Sequence, residues 1–117
     1  MTHGGEAAYV AALIMLYLDL PDTPLRPGPQ DQSTARQLYQ QGVPLSLAES
    51  ALLLASLRRV IRDSDRPPLP PIRSLAYFQP VITELLQQPL PDGYLDYLRN
   101  KFRKVATGHQ KAVAPRP

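Results

Sequence analysis

The chain has 117 residues, 44% of them apolar, a net charge of +3 and no cysteine. That size and apolar content suit one domain with one modest core. The missing cysteine removes disulfides, thiolate metal sites and a cysteine nucleophile, and the only histidines, His3 and His109, lie near the termini, so no cofactor or metal is expected and an acid–base centre is disfavoured.

The first predicted element is a helix over Glu6 to Leu18, EAAYVAALIMLYL. It is apolar nearly all round, which predicts a central helix or one covered by a partner. Its apolar run from Ala7 is 12 residues long, too short for the ~20 that span a bilayer, so no membrane anchor is expected. The preceding MTHGGE carries no lysine or arginine and Asp19 follows the run, which argues against a secretory signal and for a cytoplasmic location. Pro21 stops this helix by Leu20.

The stretch Pro21 to Pro29, with four prolines and a glycine, reads as an extended connector. A short amphipathic helix is expected from Asp31 or Ser33 to Gln41, with Ala35, Leu38 and Tyr39 on its apolar side and Gly42 supplying a positive φ at its end. Ser46-Leu47-Ala48-Glu49 reads as a capping box that starts a third helix at Leu47. That helix runs through LAESALLLASLRRVIRD with a single polar strip, Glu49, Ser56, Arg59 and Asp63, interrupted by Leu52. It is therefore the expected centre of the bundle.

Pro67, Pro68, Pro70 and Pro71 form a second hinge, after which Ser74 is the expected N-cap of SLAYFQPVITELLQQ. Pro80 inside this segment predicts one turn to Phe78 and a restart that continues to Gln87. Leu75, Phe78, Val81, Ile82, Leu85 and Leu86 would face the core, and Tyr77 and Phe78 are both expected to be structural. The last helix follows Gly93, with Tyr94, Leu95, Leu98, Phe102 and Val105 on one side and Arg99, Arg103 and Lys104 opposite. The reading is thus an all-α, compact bundle of four to five helices with proline-rich connections. Residues 1–107 form a single helical domain, and 108–117 a disordered basic tail.

Charge is unevenly spread. Residues 1–57 hold two basic and five acidic side chains, a net of −3, whereas residues 58–117 hold eleven and five, a net of +6. Such asymmetry points the second half towards an anionic partner. Arg58, Arg59, Arg62, Arg99, Lys101, Arg103 and Lys104 are the candidate phosphate contacts, with Tyr97 placed to stack on a base. Against this stands pairing within the fold, Arg59 with Asp63 and Arg99 with Asp96. Ala35 to Gln41, Gly42 and the third helix have the outline of a helix-turn-helix, but the third helix opens on apolar side chains that could not read base edges, so packing is expected instead.

The all-apolar first helix supports a different class of reading, a protein-interaction or homo-oligomerisation module in which Tyr9, Leu13, Leu16 and Tyr17 pack against a partner or across a two-fold axis. No glycine-rich phosphate loop, paired carboxylates or serine with a base is present, so enzyme activity is not expected.

The segment PIRSLAYFQPVITELL with the basic helix Tyr94 to Val105, residues 71–105, resembles the helical region of bacterial and phage replication-initiator-like proteins of the DnaD-like or replisome-organiser sort. The resemblance implies non-specific DNA association and a replication protein as partner, in an accessory role and often on a mobile element. It implies no catalytic residue.

Overall fold

The computed structural model describes residues 5–61 and 65–113, with side chains as far as Val105. Its elements are α1 (Gly5–Leu18), α2 (Asp31–Gln40), α3 (Leu45–Val60), a 3-10 turn (Leu75–Phe78), α4 (Gln79–Gln87) and α5 (Tyr94–Val113). No strand occurs among the described residues, so the protein is an all-α bundle with two long proline-rich connections.

Local chemistry sets most of the boundaries. α1 gives way at Asp19 and Leu20, just before Pro21, which has no amide hydrogen to continue the helix. At the end of α2, Gly42 takes φ +80° and the amides of Gln41, Gly42 and Val43 bond back to Gln37, Tyr39 and Leu38, closing the last free carbonyls. α2 then lies back along α1, for the Gln40 amide donates to Glu6 at 3.2 Å and the Tyr9 hydroxyl donates to the Val43 carbonyl at 2.8 Å.

α3 departs from the expected capping box. It begins at Leu45, with Pro44 as N-cap at φ −62° and ψ 145° and no side-chain cap. The Pro44 carbonyl accepts from Leu47 and Ala48 at 3.1 and 3.0 Å. Proline already holds the φ that this position needs and its extended ψ is the ordinary N-cap conformation, so the helix nucleates ahead of the serine. Ser46 falls within the first turn, where its carbonyl accepts the Ser50 hydroxyl at 2.9 Å.

Of the expected polar strip of α3, Ser56 and the interrupting Leu52 are buried, Glu49 and Arg59 are half-buried and Asp63 lies outside the described residues, while Arg58 in the last turn is exposed. α1, α4, α5 and the 3-10 turn all pack on α3. The small side chains of Ala48, Ala51, Ala55 and Ser56 are buried there, and their size lets neighbouring backbones approach closely.

The second connection ends on a device that the sequence did not advertise. Ser74 makes no side-chain cap. Instead Asp31, the first residue of α2 and only 1% exposed, accepts from the Leu75 amide at 3.0 Å and from the Gly28 amide at 2.7 Å. A buried carboxylate is tolerated when it is hydrogen-bonded and sits at a helix N-terminus, and here both conditions hold. From Leu75 the chain makes the 3-10 turn and restarts with Pro80 in the first turn of α4. Leu75, Phe78, Ile82 and Leu85 are buried, but Leu86 is exposed because α4 offers the core only one narrow stripe.

One buried cluster extends from Tyr9 in α1 to Leu98 in α5. The rings of Tyr17 and Phe78 meet edge to face, 6.0 Å apart, joining α1 to the 3-10 turn. The Tyr17 hydroxyl and the Ser56 hydroxyl have no hydrogen-bond partner among the described residues. α5 lays Leu98 into the core and Tyr94, Leu95, Phe102 and Val105 against it. Its backbone continues to Val113, past the expected end at Thr107; residues 114–117 lie outside the described residues.

Removing the Asp31 carboxylate strands two amides, one of them buried. Asp31→Ala is expected to cost about 2–4 kcal/mol, and Asp31→Asn, which keeps one acceptor, about half as much, in urea unfolding. A loss below about 0.5 kcal/mol for Asp31→Ala, the size of an ordinary surface change, would show that the carboxylate does not hold the bundle.

Burial, helped by the nearby charge of Asp31, pushes the Tyr17 hydroxyl from 10.0 up to about 12. Because the folded value is the higher one, the fold favours the neutral phenol: its contribution is intact below pH 10.0 and is lost as pH climbs to about 12. Tyr17→Phe should shallow that alkaline loss of stability, and at pH 7 raise the urea midpoint or leave it in place, because the hydroxyl it removes has no partner. An unchanged alkaline limb would contradict the assignment.

Candidate nucleic-acid interface

The described basic residues singled out in the sequence differ in whether they are paired within the fold. Glu49 near the start of α3 binds Arg99 of α5, whereas Arg58 and Arg59 stand in its last turn. At 1.5 Å per residue, Glu49 and Arg58 are about 13 Å apart along the helix. The described candidates fall in three places, two of which are paired with carboxylates.

At the end of α3, Arg58 and Arg59 line an open cleft of about 550 Å³ with Arg66, Leu69, Tyr77 and Pro80. Two of its three arginines, Arg58 and Arg59, are already engaged, while Arg66 is exposed and makes no ion pair among the described residues. Arg58 donates both terminal nitrogens to Glu84 of α4, at 3.0 and 2.8 Å. Those hydrogen bonds hold the Glu84 carboxyl below its ordinary range and the Arg58 guanidinium above its own.

Arg59, with a side chain only 9% exposed, donates to the Pro70 carbonyl at 2.9 Å, the Asp22 carboxylate at 3.2 Å and the Tyr77 hydroxyl at 3.1 Å. Its guanidinium also lies 5.5 Å from the Tyr77 ring centre, within cation–π range. Asp22 is held at φ 67°, a conformation that aspartate adopts more readily than most residues, and its carbonyl accepts from Ile72 at 2.9 Å. Arg59 thus staples the two proline-rich connections to α3 with Asp22 as its carboxylate partner; Asp63, the partner expected for it, and Arg62 lie outside the described residues. Tyr77, expected in the core beside Phe78, is 42% exposed and forms one wall of this staple.

The second place is the start of α5. Arg99 donates to both oxygens of Glu49 at 2.9 and 2.8 Å and to Asp96 at 3.3 Å. The pairing with Asp96 is as expected. Glu49 is the stronger partner, and nothing local could have revealed it, since 50 residues separate the two.

The third place keeps its charge outward. Tyr97 is 50% exposed, and Lys101, Arg103 and Lys104 are exposed with it. Among the described residues Lys101 and Lys104 make no ion pair, and Arg103 donates only to the Asn100 side chain at 3.0 Å. Tyr97, Lys101 and Lys104 follow the i, i+4, i+7 spacing that places them on one helix face, while Arg103 lies about 100° further round the helix from Lys104. The Tyr97 ring is tilted against Tyr94, 5.1 Å away, which supports it from behind.

The residues expected to meet a partner through α1 are mostly spoken for inside the fold. Tyr9, Leu13 and Tyr17 are buried against the rest of the chain and Leu16 is half-buried, so these four do not make an outer face. A bundle this small uses the surplus apolar side of α1 as its own core. Among the described residues no group of three histidine, cysteine, aspartate or glutamate side chains is placed to hold a metal ion, and no helix is long and apolar enough to cross a membrane.

Comparison with protein-family models, curated proteins and solved structures gives no significant match to this chain, leaving its own geometry as the ground for function.

The two adjacent arginines of α3 should behave differently on substitution. Arg59→Ala is expected to cost about 1–3 kcal/mol in urea unfolding through the lost charged hydrogen bonds and packing. Arg58→Ala, which breaks a solvent-screened pair, should leave the midpoint nearly in place. Equal effects of the two would contradict the staple.

Proposed function

We propose that the chain is a non-enzymatic helical module that associates with DNA, without reading its sequence, through the outer face of α5. The observation that carries this reading is the exposure of Tyr97, Lys101 and Lys104 on one helix face, with Arg103 exposed further round the same helix, in the half of the chain whose net charge is +6. Flexible cations at this spacing follow a phosphate backbone and gain affinity by releasing its counterions, and an exposed ring beside them can stack on an unpaired base. Nothing in such a contact requires a base edge to be recognised. The resemblance of residues 71–105 to replication-initiator-like proteins adds a role to the chemistry, that of an accessory subunit recruited to DNA alongside replication factors.

Arg58, Arg59 and Arg99 leave the contact list in this reading, because each would have to give up a carboxylate partner to reach a phosphate. A second reading, association with protein, is favoured by the outer side of α1, where Ala7, Ala11 and Met15 are exposed with no polar side chain among them.

The test is the salt dependence of binding to labelled single- and double-stranded DNA. Replacing Lys101, Arg103 and Lys104 together by alanine should reduce the slope of log K against log salt by about 2–3, at roughly 0.7–0.9 per phosphate contact. Arg58→Ala should leave the slope as it is. A slope unmoved by the triple change, or no binding even at low salt, would remove the DNA reading.

A further inference from the structure

The two proline-rich connections hold no helix or strand among the described residues, yet they are pinned together at two points. At the first, Ile72 donates to the Asp22 carbonyl at 2.9 Å, and Arg59 binds Asp22 and Pro70 beside it. At the second, the Asp31 carboxylate accepts from Gly28 of one connection and from Leu75 at the exit of the other. Pro24 and Pro27 on one side and Pro70 and Pro71 on the other stiffen the backbone near these anchors. Irregular segments held this firmly by a scaffold are where binding residues concentrate.

Between the two anchors lies an open cleft of about 520 Å³, lined by Thr23, Pro24 and Arg26 of the first connection and Pro71, Ile72 and Arg73 of the second. Arg26 and Arg73 are both exposed, and neither makes an ion pair among the described residues. The acids that flank Arg26 in the chain are engaged elsewhere, Asp22 by Arg59 and the buried Asp31 by two amides. Two guanidiniums therefore open on one cleft, one from each connection, with no carboxylate of their own. Like charges gathered on a rigid frame repel, and an anion that meets both of them relieves that repulsion.

The chemistry of the pair selects the anion. A guanidinium is a fork that meets two oxygens at once. Two forks are best matched by a terminal phosphate, which has three free oxygens and close to two negative charges at neutral pH. A carboxylate has two oxygens and one charge. A phosphodiester of a nucleic-acid backbone likewise carries one charge, and its chain must leave the cleft on both sides. We propose that this cleft binds the terminal phosphate of a phosphomonoester, with Arg26 and Arg73 each bonding its oxygens and the organic part resting on Pro24 and Pro71. The site uses no residue of the α5 face and does not depend on the DNA reading.

The experiment follows arginine side-chain signals by nitrogen-15 NMR while the full chain is titrated with inorganic phosphate, phenyl phosphate and dimethyl phosphate at constant ionic strength. The signals of Arg26 and Arg73 should move together and saturate. Arg66, exposed and unpaired in the other cleft, should not follow them. Phenyl phosphate should bind more tightly than inorganic phosphate, and dimethyl phosphate, a diester, about tenfold more weakly than either. Arg26→Ala and Arg73→Ala should each weaken phenyl phosphate about tenfold, as expected for a lost hydrogen bond between charged groups, with the urea midpoint unchanged. Arg73→Lys should restore only part of the loss, because an ammonium has no fork. A short phosphotyrosine peptide that binds no better than phenyl phosphate would assign the site to small esters, and one that binds about tenfold better would assign it to a phosphorylated protein. The inference would be overturned if millimolar phenyl phosphate gave no saturable movement of Arg26 and Arg73, if Arg66 moved equally, or if both alanine variants bound as the wild type does. Tighter binding of dimethyl phosphate would overturn it too.

Discussion

Two hydrogen bonds to one buried carboxylate, that of Asp31, fix segments 44 residues apart in the chain. One ties down the glycine that leads into α2, and the other supplies an acceptor for the first amide of the 3-10 turn. The second connection contributes four prolines between Pro67 and Pro71, which have no amide hydrogens and cannot build a ladder of their own. Its exit is instead placed by Asp31. Once Leu75 is held there, Phe78 meets Tyr17, Pro80 restarts the helix as α4, and both α4 and α5 close over α3. The cost of burying the charge is offset by the two donors and by the helix N-terminus on which it sits.

The same need to anchor irregular chain accounts for how the arginines are used. Connections without secondary structure must satisfy their carbonyls somewhere, and Arg59 meets that need by bonding Pro70 and Asp22 together. Arg58 and Arg99 each bridge α3 to a later helix through a two-pronged carboxylate contact. The excess positive charge of the second half is therefore only partly outward-facing. Among the described residues, what remains for a partner is Arg66 and Arg73 in the second connection and Lys101, Arg103 and Lys104 on α5.

Elements governed by local chemistry were legible in the sequence. Gly42 ends α2, Pro80 restarts a helix after one turn, and the nearly all-apolar α3 takes the central place, each for a reason contained in a few neighbouring residues. The capping box failed because two start signals compete within three residues, and the proline, with φ already set, acts first. Tyr77 and Phe78 could not be told apart by composition, yet one is buried and the other walls the Arg59 staple. The partners of Asp31, Arg58 and Arg99 are set by how helices dock, so no spacing rule reveals them. For the candidate site, the placement of Arg103 and Lys104 away from the apolar side of α5 was readable, whereas the pairing of Arg58 and Arg99 with distant carboxylates was not.

A division of labour follows from these contacts. Arg59 holds the connections to α3, whereas Lys101, Arg103 and Lys104 on α5 face outward. The most direct test of that division is a nitrogen-15 NMR titration of the full chain with a short single-stranded DNA, following backbone amides and arginine side-chain signals together. Shifts should concentrate on Tyr97, Lys101 and Lys104, with the side-chain signals of Arg58 and Arg59 staying in place. Shifts centred on Arg58, Arg59 and Tyr77, with α5 unmoved, would contradict the account.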